Sequence, residues 1–195
     1  MKKNLLTLLI LSVMSWGGLI AQINSFPYVE NFDAESTCAT TCNAACSMTN
    51  GWINNTTDNA EWAVNSGGTV SGSTGPSGDH TLGTGNYIFI ETSSCTNRSA
   101  SITTPSFDLS NEPNMYLDFW YHMYGATMGD LLVEVSNDNG TTWTQLDSLT
   151  DNQDLWQLRT INLTSFVGDT IVLRFRGETG TSFTSDMAID DISLY

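Results

Sequence analysis

Residues 116–135, Y-L-D-F-W-Y-H-M-Y-G-A-T-M-G-D-L-L-V-E-V, constrain the fold more than any other part of this chain. Leu117, Phe119, Tyr121 and Met123 fall on one face at a period of two, and Trp120, His122 and Tyr124 fall on the other. Both faces are mostly apolar or aromatic, which predicts a strand covered on both sides. Gly125 and Gly129 then supply backbone freedom for a turn, and a second strand is expected over residues 131–135. The simplest expectation is a central hairpin on which the rest of the chain packs.

The remaining pattern is also that of short strands. Residues 22–33 read as an edge strand, because Pro27 is tolerated only at an edge. Strands follow at 87–91, 100–103 and 107–109 around Pro105, then at 156–163, 170–176 and 187–194. In 170–176 the apolar Ile171, Leu173 and Phe175 alternate with Val172, Arg174 and Arg176, a half-buried pattern. No stretch holds a helical period. About ten short strands at turn-rich spacing predict an all-β fold, a two-sheet antiparallel β-sandwich. Trp52 and Trp62 are expected in its core, and the Gly-, Ser- and Thr-rich residues 65–85 as one long loop.

Lys2 and Lys3 precede an apolar run that ends in small residues, a signal-peptide pattern over residues 1–21 with cleavage expected between Ala21 and Gln22. The run is too short, and too interrupted by Ser15, Trp16, Gly17 and Gly18, to be a transmembrane anchor. No later segment is apolar enough to span a bilayer, so no membrane span is expected after cleavage. The short K-K-N start suits a bacterial exported protein. Residues 22–195 make a single domain with a sizeable core. The domain ends where a last strand would end, which suggests a module of a larger exported protein.

Once both lysines leave with the signal, four arginines remain against 21 acidic residues. A surface of that sign excludes nucleic acid and anionic membrane as partners and is compatible with cations. In an exported chain Cys38, Cys42, Cys46 and Cys95 are expected to form two disulfides, and three connectivities stay open. Residues 34–50 read as a cysteine-bearing loop insertion stapled by them. The C-x3-C-x3-C run is a poor zinc spacing with no adjoining histidine.

Three blocks carry a family resemblance. They are G-P-S-G-D-H-T-L-G-T-G-N-Y-I-F-I-E at 75–91, W-Y-H-M-Y-G-A-T-M-G-D-L at 120–131, and D-M-A-I-D-D-I at 186–192. In this order they resemble the MAM family of extracellular adhesion modules. The resemblance narrows the sandwich to a jelly roll and implies a secreted or cell-surface, non-catalytic module that binds an extracellular protein or glycan and sometimes self-associates. Crowding of three cysteines into 38–46 departs from the family's spacing.

Chemistry is sparse. Neither G-x-S-x-G nor H-E-x-x-H occurs. His80 and His122 read as structural hydrogen-bonding residues. Ser136 to Trp143, S-N-D-N-G-T-T-W, also fits the Asp-box of sialidase propellers. Those enzymes need several copies and an arginine cluster, so one copy reads as a hairpin turn fixed by Asp138. The better-motivated site is a metal. Calcium takes six to eight oxygens, often from loops at one end of a sandwich, and Asp33, Asp58, Asp79, Asp190 and Asp191 each lie near an expected strand end. The resemblance implies a cation at Asp79 and at Asp190 with Asp191. Strict alternation sets Asp190 on the face of Ala188, Ile192 and Leu194, with Asp191 opposite unless a bulge intervenes. Trp143 and Trp156, if exposed on one face, would make a sugar platform. The second reading is therefore a calcium-stabilised carbohydrate-binding module serving a secreted hydrolase or peptidase.

Overall fold

A computed structural model describes residues 22–195; the signal peptide expected over residues 1–21 lies outside the described residues. Among these, twelve strands follow in order: β1 (Tyr28–Glu30), β2 (Ile53–Asn54), β3 (Ala63–Ser66), β4 (Asn86–Ile90), β5 (Ser99–Thr103), β6 (Phe107–Asp108), β7 (Tyr116–Met123), β8 (Asp130–Ser136), β9 (Thr144–Leu149), β10 (Gln153–Asn162), β11 (Thr170–Glu178) and β12 (Met187–Leu194). A 3-10 turn, Thr164–Phe166, leads into β11.

Two antiparallel sheets pack as a sandwich. The first runs β10-β7-β12-β4-β3, with β1 also on β12; the second runs β2-β5-β11-β8-β9, with β6 also on β11. β12 pairs β4 through Met187–Ile189 and β1 through Ile192–Leu194, so these short strands share one edge of β12 end to end. Ile23 bridges Phe107, tying the entering segment to the second sheet.

The expected central hairpin does not form. β7 pairs with β10 and β12, whereas β8 pairs with β11 and β9 in the other sheet. Residues 124–129 carry the chain across the sandwich, as the glycines permit: Gly125 has φ 151°, and a Cβ on Gly129 would overlap the Glu178 carbonyl oxygen. The apolar periodicity correctly located two strands but said nothing of their partners.

Between the sheets lies the core. Leu117, Phe119 and Met123 of β7 are fully buried in it, facing Leu131, Val133, Leu173 and Phe175. Phe119 meets Phe175 edge-on with ring centroids 5.1 Å apart, and Trp52 stacks on Phe175 at 6.1 Å. Trp52 and Trp62 are both buried, as expected, and Trp62 Nε1 donates to the Ala100 carbonyl of the opposite sheet. The alternation in β11 also holds, with Ile171, Leu173 and Phe175 inward. Residues 34–50 are stapled by Cys38–Cys46 and Cys42–Cys95, which settles the connectivity. The 137–143 turn is fixed as expected, Asp138 accepting from Ser136 Oγ, Thr142 N and Thr142 Oγ1 at 2.6–2.8 Å.

Candidate functional site

The outer face of the first sheet is roofed by the loop between β3 and β4. Tyr87 and Phe89 of β4, Ala63 of β3 and Ala188 of β12 form a second, smaller buried cluster on this face. Over it the His80 ring stacks on Trp120, centroids 3.7 Å apart, and Trp156 Nε1 donates to the Gly78 carbonyl. His122 sits beneath, nearly fully buried, with its ring edge-on to Trp156 at 5.5 Å. Burial holds its pKa below the usual histidine value. The three sequence blocks thus meet in one latch that clamps a polar loop onto an aromatic sheet face.

β12 carries a bulge where the latch closes. Its register against β7 shifts between Asp190 and Ser193, and Asp191 adopts φ 45°. Asp190 therefore shares the outer face with Ala188 but not with Ile192 and Leu194, which face the core. That corrects the alternation argument. Asp190 is buried; its carboxylate accepts from His80 N at 2.9 Å and Asp191 N at 2.8 Å. Asp191 Oδ2 lies 2.6 Å from His80 Nδ1 and accepts from Thr81 Oγ1 at 2.5 Å. Asp79 accepts from Leu82 N and Gly85 N, and Asp33 from Asn86 N. A Cβ on Gly85 would strike both Asp33 and Asp79, so glycine lets these two carboxylates crowd one turn.

Four of the five aspartates singled out above, Asp33, Asp79, Asp190 and Asp191, thus gather at this loop. Asp58 does not: it lies by the second sheet, accepting from Ser101 N and Oγ. As a metal centre the four fit only partly. A buried Asp190 beside two further acids favours a cation, but their oxygens already accept from loop donors. Among the described residues no three His, Cys, Asp or Glu side chains stand as a ready ligand group.

The electrostatic cost can be read from pH. Burial pushes Asp190 up to about 7, with Asp191 and Asp79 adding to it, and burial together with Glu91 pushes Asp186 up to about 6. Unfolded, both would ionise near 4, so between roughly pH 4 and 7 the folded chain holds more protons. Their contribution to stability is full below about pH 4 and is lost as pH rises to 7. In metal-free buffer the melting temperature is expected to fall over that window, and Asp190→Asn to flatten the fall. Thermal melts from pH 4 to 8 check this; an unchanged slope in the variant would remove Asp190 as a cause.

The outer face of the second sheet is different, open and polar. Glu134 lies nearly buried between Arg174, at 2.6 Å, and Arg176, at 3.2 Å. Burial alone would raise its pKa, but the two arginine hydrogen bonds hold it below the usual glutamate value. Arg174 also lies 4.1 Å over the Trp143 ring. Beside this stack runs a groove of about 560 Å³ lined by Ile53, Thr103, Pro105, Asn139, Gly140 and Trp143. A second groove of about 400 Å³ shares Ile53, Thr103, Gly140 and Trp143 and adds Asn55, Thr56 and Arg174. Trp143 and Trp156 therefore stand on opposite sheets, Trp143 at the groove and Trp156 inside the latch. Sequence reading singled out neither Arg174 nor Ile53; the β11 alternation placed Arg174 outward, but only strand pairing set it beside Trp143.

The sheets and grooves define the class of this protein as a two-sheet antiparallel β-sandwich with open grooves on a sheet face. Within that class this chain is a member of the MAM domain family: the family model described as MAM domain, meprin/A5/mu matches residues 31–195. It is 32% identical over 178 residues to the MAM domain-containing glycosylphosphatidylinositol anchor protein 1 of Rattus norvegicus, covering 86% of this chain and 18% of that protein. It is 33% identical over 138 residues to MAM domain-containing protein 2 of Mus musculus, covering 69% of this chain and 20% of the relative. The chain thus spans a fifth or less of these relatives. Among solved structures, the K2 and K1 cleaved adhesin domains of Lys-gingipain share the fold. Their TM-scores are 0.59 and 0.58 at 16% identity, covering 86% and 88% of this chain and 98% of each domain. No described helix is long and apolar enough to cross a membrane.

Proposed function

We propose that this chain is an extracellular or cell-surface recognition module that holds a glycan in the Trp143 groove of the second sheet. The observation that carries the reading is the Trp143–Arg174–Glu134 stack. Arg174, itself held by Glu134, makes a cation–π contact with a partly buried indole beside amides and hydroxyls, the mixture that stacks on a sugar ring and hydrogen-bonds its hydroxyls. A protein ligand on the same face, or self-association, is the competing outcome. The relatives' names support display outside the cell. Origin in a bacterial exporter rests on the leader alone and draws no support from the curated relatives, which are animal proteins.

The test is retention of residues 22–195 on a panel of immobilised polysaccharides. Trp143→Ala is expected to weaken retention about tenfold or more, with little change in melting temperature because the ring lies outside both buried clusters. Equal retention by parent and variant would remove the groove as the site, and a parent retained by no glycan but captured by a second copy or a cell-surface protein would replace the ligand class. A calcium ion at Asp33, Asp79, Asp190 and Asp191 belongs to this proposal as a structural support for the latch. It is supported by the raised pKa of Asp190, the least-solvated carboxylate of the four.

A further inference from the structure

The first sheet carries two acids that none of these roles uses. Met187 opposes Ile90 and Ala188 opposes Phe89, so one step further along each strand sets Asp186 opposite Glu91 on the outward face. Directly opposed side chains of an antiparallel pair lie about 5 Å apart at Cβ, and like charges there repel. Glu91 is 4% exposed and Asp186 0%. One oxygen of each is occupied: Glu91 Oε1 accepts from Ser93 N at 2.8 Å and Ser71 Oγ at 3.1 Å, and Asp186 Oδ1 from Thr92 N at 2.9 Å and Thr92 Oγ1 at 2.7 Å. The other two, Glu91 Oε2 and Asp186 Oδ2, are buried without a hydrogen-bond partner. None of the ion pairs among the described residues reaches either acid; Arg159, Arg174 and Arg176 pair elsewhere.

We propose that Glu91 and Asp186 bind a hard divalent cation of the calcium class between the first sheet and residues 69–75. Two carboxylates match its charge, and the surrounding groups are oxygens of the kind it takes, the hydroxyls of Ser71, Ser93 and Thr92. Unpaired buried carboxylates are costly, and a cation removes the cost where no basic side chain does. The covering loop is already tied to this spot. Thr74 Oγ1 accepts from Asp186 N at 2.9 Å and donates to the Tyr124 carbonyl, while Ser73 and Gly75 hold positive φ. A bound ion would complete the tie. Asp186 lies just before β12 and four residues from Asp190, roughly 13 Å in extended chain, so this site is distinct from the aspartates of the latch.

Calcium titration calorimetry on residues 22–195 at pH 7, comparing the parent with Glu91→Gln, Asp186→Asn and Asp190→Asn, tests it. Glu91→Gln and Asp186→Asn are each expected to remove one ion, or to weaken it about tenfold or more, and Asp190→Asn to keep it. Calcium should raise the melting temperature of the parent by more than that of Glu91→Gln, which keeps only the latch aspartates, and should still raise that of Asp190→Asn. If Glu91→Gln binds as the parent does, or if the parent binds nothing and Glu91→Gln melts higher, the pair shares a proton instead and the proposal falls. Loss of the ion in Asp190→Asn alone would keep the latch site and overturn this one. Should Glu91→Gln not fold, amide exchange of residues 71–75 in the parent decides: slower exchange with calcium supports the site, unchanged exchange overturns it.

Discussion

Replacing Cys42 and Cys95 together by serine is expected to lower the unfolding free energy by about 4 kcal/mol, against about 2–3 kcal/mol for Cys38 with Cys46. The first pair closes 53 residues of chain and the second 8, and the entropy withheld from the unfolded state grows with the logarithm of that span. The long bridge also joins different parts of the fold, fastening the 34–50 insertion to the segment between β4 and β5, where Cys95 is fully buried. The short one only closes the insertion on itself, beside Val64 of β3. Urea unfolding of the two double variants compares them directly. A loss in the long-bridge variant no larger than in the other would show that the insertion is held by packing and not by its link to Cys95.

Gly129→Ala is expected to destabilise by about 3 kcal/mol, at the upper end of the usual cost of overpacking. A Cβ there would overlap the Glu178 carbonyl oxygen, and one on Gly180 would overlap the Thr127 carbonyl oxygen, so two backbone segments cross in contact where the chain passes between sheets. Gly129 N also donates to Ser185 Oγ at 3.1 Å, and moving the backbone would break that bond. Gly72→Ala is the control, since nothing lies within 4 Å of its Cβ position; its effect should stay within about 0.5 kcal/mol. Equal melting temperatures for the two variants would mean that the crossing is not tight in solution.

The crossing also marks where sequence reading stopped. The run from Tyr116 to Met123 announced its strand because alternate Leu, Phe, Tyr and Met must be buried together, and the boundaries of β12 and the burial of Trp52 and Trp62 followed from the same reasoning. Period two says which face is buried but not which strand lies alongside, so β7 and β8 were joined in a hairpin when they belong to opposite sheets. The bulge at Asp190–Asp191 escaped for a similar reason: one extra residue in a ladder is invisible until the partner strand supplies the count. Glu91 and Asp186 stood in quoted blocks without drawing notice, because a lone acid at a strand end looks like a solvated cap. Only the pairing of β4 with β12 opposes them.

Alone, the sequence determined the all-β class, the two-sheet sandwich, the core aromatics, the turn fixed by Asp138 and the membership in the MAM family that three ordered blocks announced. These depend on local periodicity, turn chemistry and composition, which act over a few residues. Tertiary structure decided the sheet partners, the disulfide connectivity, the separation of Trp143 from Trp156, the gathering of Asp33, Asp79, Asp190 and Asp191 at one loop without Asp58, and the opposition of Glu91 to Asp186. Each of these is a contact between residues far apart in the chain, set by which surfaces bury against one another, and no local pattern encodes it.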